Sequence, residues 1–114
     1  MRSNDPSDVR LVLVNMPDPD SARTMAHLLV TQRLAACVNL LPGVTSVYLW
    51  NDAVECAEEV TLLIKTTAAA WPALERQVQQ SHPYDVPEIL QLPVSAGYAP
   101  YLSWVVSETI SSQP

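Results

Sequence analysis

Glycine is nearly absent from this 114-residue chain, with only Gly43 and Gly97 present. A phosphate-cradling loop needs several glycines so that backbone N–H groups can converge, so no Gly-rich nucleotide motif can be built. Basic residues are also few: six Lys and Arg stand against twelve Asp and Glu, for a formal net charge of −6. Nucleic acid and anionic membrane surfaces both require clustered positive charge, so neither is an expected partner. Long apolar runs are missing as well, and nothing approaches the roughly 20 residues of a membrane-spanning helix. The N-terminal MRSNDPSD is polar and lacks the apolar core of a signal peptide. Cysteine occurs twice, at Cys37 and Cys56, without a CxxC pair. Free thiols and no export signal set the expectation of a cytoplasmic protein. No serine sits in a GxSxG elbow and no nucleophile, base and orienting residue fall together, so the expectation is a protein that is not an enzyme.

What the sequence does contain is one very long hairpin. The stretch from Ala36 to Thr67 reads as two extended arms joined at Asn51-Asp52, with Val44, Tyr48 and Trp50 before the turn and Val60, Leu62 and Ile64 after it. An arm of some fifteen residues spans roughly 50 Å at the strand rise. A domain of this length has a radius of gyration near 13 Å, so the hairpin must bend, project or pair with another chain. Pro42-Gly43 interrupts the first arm and predicts a bulge or bend there. Beyond it Ser46, Tyr48 and Trp50 face one side and Val47 and Leu49 the other, a two-sided surface that one subunit cannot easily cover. With Asn51-Asp52 as the turn, Trp50 faces Ala53 and Cys37 falls opposite Thr66. Cys56 then lies far along the ladder, and an intrachain disulfide is excluded.

The remaining elements follow in order within a single domain, 1–114. Residues 1–8 are expected to form a solvated, disordered tail. Val9–Asn15 is a near-continuous apolar strand. Asp18, Pro19 and Asp20 start a helix that runs to about Gln32, with Ala22, Met25, Ala26 and Leu29 on its apolar face. After the hairpin, a second helix is expected from about Pro72 to Gln80 and a short strand from Glu88 to Val94. A last helix from Pro100 to about Ile110 closes the chain. The order β-α-β-β-α-β with right-handed crossovers gives an α+β, ferredoxin-like antiparallel sheet of four strands with both helices on one face. The terminal helix and a partner subunit are expected to share the cover of the other face.

Four stretches carry a resemblance: RLAACVNLLPGVTSVYLW at 33–50, LLIKTT at 62–67, HPYDVPEILQLPV at 82–94 and YLSW at 101–104. In this order, from about Leu11 to Val106, the chain resembles the CutA divalent-cation tolerance proteins. The resemblance implies a ferredoxin-like subunit in a tight homotrimer, similar in architecture to the PII signalling proteins, with sheet edges joined through the long hairpin. It also implies a link to tolerance of copper and other divalent metals, and no catalytic reaction. Some bacterial members carry a Cys at the end of the first strand and a double His before Pro-Tyr. The matching positions here are Val14 and Ser81, so of that ligand set only His82 is present.

His82 is accordingly the metal candidate, for Cu²⁺ or a similar ion, near Tyr84, Asp85 and Glu88. A histidine at a helix end also suits capping. Met16 is a possible soft ligand or a core residue, Cys37 a small buried hydrophobe, Cys56 a thiol in acidic company, and His27 solvent-facing. Glu55, Glu58 and Glu59 form an acidic group able to gather cations or simply to be solvated. Lys65, the only lysine, lies on an apolar strand and needs an anion, with Glu88 as its expected partner. From these residues come two functional expectations. One is a cytoplasmic homotrimer that binds divalent cations without catalysis. The other is a PII-like signalling or scaffold trimer holding a small anion, or a protein, in an intersubunit cleft at Lys65, Tyr84 and Glu88. Tyr48 and Trp50 are expected as interface anchors.

Overall fold

A computed structural model describes residues 8–110. Its elements are β1 (Val9–Met16), α1 (Pro19–Thr31), β2 (Cys37–Trp50), β3 (Ala53–Thr67), α2 (Trp71–Ser81), β4 (Ile89–Pro93) and α3 (Ala99–Glu108). The sheet order is β2-β3-β1-β4, and every neighbouring pair is antiparallel. Sequence-predicted order and topology are both found. Of the expected tail, residues 1–7 lie outside the described residues. Asp8 is buried, and its carbonyl accepts the Ala68 N–H at 2.8 Å, so the fold begins one residue earlier than the sequence indicated.

Local chemistry sets the element ends. The Asp18 side chain accepts the Ser21 N–H at 2.7 Å and caps α1, with Pro19 at the first helical position. The apolar face of α1 (Ala22, Met25, Leu29) and that of α2 (Leu74, Val78) meet one face of the sheet. There Val12, Val14, Met16, Val60, Leu62 and Ile64 complete the core. The alternating side chains of β1 and β3 turn to the opposite face, which has far less cover. Helix α3 closes only its Val9 end, through Leu102, Val105 and Val106. Leu41, Leu90 and Leu92 remain exposed on that open face.

The hairpin projects. β3 has 15 residues and pairs with β2 along nearly its whole length, but with β1 only from Val60 to Thr67. The overhang lengthens the molecule to 46 × 28 × 24 Å, with a radius of gyration of 14.7 Å. The tip is a two-residue turn with positive φ at Asn51 (52°) and Asp52 (64°), the geometry that matches strand twist. The predicted bulge is present: the register shifts between Leu41 and Val44, where Pro42 and Gly43 oppose Val60 alone. The extra residue corrects the inner register, so Cys37 faces Lys65 and not Thr66. Cys56 faces Val47, and both thiols are free.

Gly43 holds φ +72°, and a Cβ there would meet nothing within 4 Å. The cost of replacing it is therefore backbone strain alone. Gly43→Ala is expected to lower unfolding free energy by about 1–2 kcal/mol, read as a shift in denaturant midpoint. Gly43→Asn, which tolerates this region better, is expected to cost less.

Candidate functional site

The overhanging hairpin and the segment between α2 and β4 enclose a cleft of about 930 Å³. Four carboxylates border it, from Glu55, Glu59, Asp85 and Glu88, together with the rings of Tyr48, Trp50 and Tyr84. Ladder pairing explains the set. Tyr48 opposes Glu55 and Trp50 opposes Ala53, so every second residue on each arm shares this face. Glu58 belongs to the other face, where Thr45 donates to its carboxylate at 2.6 Å. The Glu55–Glu58–Glu59 group expected from the sequence is thus divided by strand alternation. Val47, Leu49 and Val54 also lie on that other pleat and are 67–73% exposed, though Val47 borders the cleft too.

A chain of hydrogen bonds ties the cleft together. Ser46 Oγ donates to Glu59 Oε1 at 2.6 Å, and the Tyr84 hydroxyl donates to Glu59 Oε2 at 3.1 Å. Backbone N–H of Tyr84 donates to His82 Nδ1 at 3.1 Å, and His82 Nε2 lies 2.7 Å from the Asn15 carbonyl. A backbone N–H can only donate and a carbonyl can only accept. His82 is therefore the tautomer protonated at Nε2, with both ring nitrogens engaged. Its ring is buried and lies against Tyr84 with centroids 4.8 Å apart. A metal ion could reach Nδ1 only by displacing the Tyr84 N–H. Among the described residues no three His, Cys, Asp or Glu side chains are grouped to hold a metal ion. The described residues of one chain therefore do not by themselves make a metal centre.

The other sequence-predicted residues separate. Tyr84 and Glu88 share the cleft, but Lys65 does not border it. Lys65 faces Leu11 on β1 and its ammonium donates to Asn39 on β2. Glu88 instead accepts from Asn15 Nδ2 at 3.1 Å. Leu11 and Asn15 are four residues apart on β1, about 13 Å at the strand rise, which is why Lys65 and Glu88 do not pair. Tyr48 and Trp50 stand in the cleft wall, 44% and 59% exposed. Met16 is buried and borders a smaller cavity of about 300 Å³ with Met25, Leu28, Ser81 and Pro83. Cys56 and His27 are exposed, and Cys37 is half-buried. Sequence reasoning missed Asn15, Ser46 and the burial of Glu59. The alternation that grouped Ser46 with Tyr48 and Trp50 was the available signal for Ser46.

Burial raises the Tyr84 phenol above its ordinary value of 10.0, and Glu59 raises it further through its hydrogen bond and its charge. The folded state thus holds this proton more tightly than the unfolded chain. The associated stability is complete below pH 10 and is lost as pH climbs through the folded-state value. Tyr84→Phe is expected to flatten part of the alkaline fall in stability, measured as denaturant midpoints from about pH 8 to 11. Tyr101, raised by burial and by Cys37, keeps its own share of that fall.

Comparison with known proteins places this geometry in a family. The family model of the CutA1 divalent ion tolerance protein matches residues 10–108. The divalent-cation tolerance protein CutA of Thermus thermophilus is 48% identical over 99 residues, covering 87% of this chain and 96% of that protein. Mouse protein CutA is 43% identical over 109 residues, covering 94% of this chain but only 62% of the mouse protein. The crystal structure of CutA from Xylella fastidiosa superimposes with a TM-score of 0.89 at 41% identity, covering 91% of this chain and all of that one. Strand order, the overhanging hairpin and these matches agree: the chain belongs to the CutA1 divalent ion tolerance family.

Proposed function

We propose that this protein serves divalent-cation tolerance as a non-catalytic cytoplasmic homotrimer that binds Cu²⁺-type ions with ligands completed by adjoining copies. The observation that carries the reading is the uncovered hairpin. Val47, Leu49 and Val54 on its outer arms stand free in one chain, as do Leu41, Leu90 and Leu92 on the open sheet face. Fully burying an aliphatic side chain of this size is favourable by about 1.5–3 kcal/mol, so two such surfaces favour closure against copies of the same chain. Because no three metal-ligating side chains gather within one chain among the described residues, a full ligand set requires more than one copy. His82 is the imidazole we assign to it, exchanging its Tyr84 N–H for the ion.

A small anion in the cleft gains less support. Lys65 lies elsewhere, and the cleft's charged lining is entirely carboxylate.

Sedimentation velocity at micromolar concentration is expected to show one species near three times the 12.5 kDa chain mass. A monomer there would remove the assembly and with it the shared ligand set. In calorimetric titration with Cu²⁺, His82→Ala is expected to bind about tenfold more weakly than wild type or worse. Superimposable isotherms would take His82 out of the account.

A further inference from the structure

We propose that the Tyr84 N–H is an autoinhibitory contact at His82: it caps the one ring lone pair of the imidazole, and the Tyr84 hydroxyl on Glu59 holds it there. The inference rests on the reading of His82 as the imidazole ligand and adds what controls access to it.

The contact is exclusive. His82 Nε2 is committed to the Asn15 carbonyl at 2.7 Å, so Nδ1 carries the lone pair, and the Tyr84 N–H meets it at 3.1 Å. A metal–imidazole bond is about 2 Å long, so an ion on that lone pair would lie only about 1 Å from the Tyr84 nitrogen. Occupation and capping therefore cannot coexist. Nor can the ring turn to offer the lone pair elsewhere. It is buried, and turning it would break the Asn15 bond. Access requires Tyr84 to withdraw.

Withdrawal is opposed at the far end of the Tyr84 side chain. Pro83 fixes φ between the two residues, which leaves one torsion fewer to move. The Tyr84 ring lies against His82 with centroids 4.8 Å apart, and its hydroxyl reaches Glu59 Oε2 at 3.1 Å. Glu59 Oε1 is in turn held by Ser46 Oγ at 2.6 Å. A carboxylate at the hairpin root thus sets how firmly a backbone N–H at the end of α2 covers His82. The linkage is reciprocal. Whatever loosens the Tyr84–Glu59 bond raises the fraction of uncapped His82, and apparent affinity rises in proportion. All of these bonds lie within one chain, so no partner copy is needed to make them.

The test compares Cu²⁺ isotherms of the full-length wild type, Tyr84→Phe, Thr45→Val and the double variant Tyr84→Phe/Glu59→Gln at one pH. Tyr84→Phe removes only the hydroxyl and is expected to bind about threefold more tightly or better, the size of one net hydrogen bond. Thr45→Val deletes a comparable hydroxyl–carboxylate bond, to Glu58 on the hairpin's other face, and is expected to match wild type. In the metal-free protein, exchange of the residue-84 amide is expected to quicken about threefold in Tyr84→Phe and further in His82→Ala. Cu²⁺ binding by Tyr84→Phe and not by wild type would support the contact in its strongest form. Equal or weaker binding by Tyr84→Phe overturns the proposal alone, as does an equal gain in Thr45→Val. A gain lost in the double variant overturns it too, because the freed Glu59 carboxylate would then be its source. Unchanged residue-84 exchange in His82→Ala overturns it whatever the isotherms show. No binding by either wild type or Tyr84→Phe removes the Cu²⁺ reading and this proposal together.

Discussion

Strand β3 is nearly twice as long as the strand beside it in the sheet's centre, and the rest of the structure follows from that mismatch. Backbone N–H and C=O groups need partners, and β1 supplies them only from Val60 to Thr67. Beyond Val60, β3 has β2 on one side and no strand on the other among the described residues. The overhang therefore leaves the compact body as a two-stranded ribbon. Such ribbons are marginal by themselves in water, so this one must be braced at its root or covered along its length. The molecule provides the bracing, while the uncovered leucines and valines call for the cover.

The bracing runs through side chains. Asn15 closes β1, His82 ends α2, Tyr84 lies in the following segment, and Glu59 and Ser46 sit at the root of the ribbon. Their hydrogen bonds form an uninterrupted line from β1 to β2 across four elements. The Asn15 carbonyl and the Tyr84 N–H each have one permitted role, so His82 is held in a single tautomer. A residue selected from the sequence as a metal ligand is thus also a mechanical link. Asn15, Ser46, Glu59 and Tyr84 of this line also border the acidic cleft, so the cleft and the hairpin's root share one set of bonds.

Much of this was legible beforehand where a residue's own backbone chemistry decides the outcome. Asp18-Pro19 starts α1, Asn51-Asp52 turns the hairpin, and Pro42-Gly43 breaks the ladder, because each constrains φ or removes a donor locally. Pairings across the fold were harder to read. Cys37 was placed one residue off because the bulge shifts everything beyond it. Lys65 needs an anion and Glu88 is the expected one, yet each meets a nearer amide, Asn39 and Asn15. The acidic group divided because adjacent carboxylates on a strand point apart. The burial of Glu59 depends on Tyr84 arriving from 25 residues away, which no local pattern encodes.

The bulge between Leu41 and Val44 acts as a parity switch. On β2, Asn39 and Leu41 share the open face with their odd-numbered neighbours, whereas past the bulge the even-numbered Ser46, Tyr48 and Trp50 occupy the continuation of that face. One inserted residue therefore decides which half of the alternating arm looks into the cleft. Removing it would transpose the two faces, sending the rings outward and bringing Val47 and Leu49 in, without altering a single side chain in the arm. Chain length at this point carries as much information as residue identity. A one-residue gap here is in effect a frameshift in three dimensions, whereas a change of length at the Asn51-Asp52 tip leaves the cleft's wall in frame.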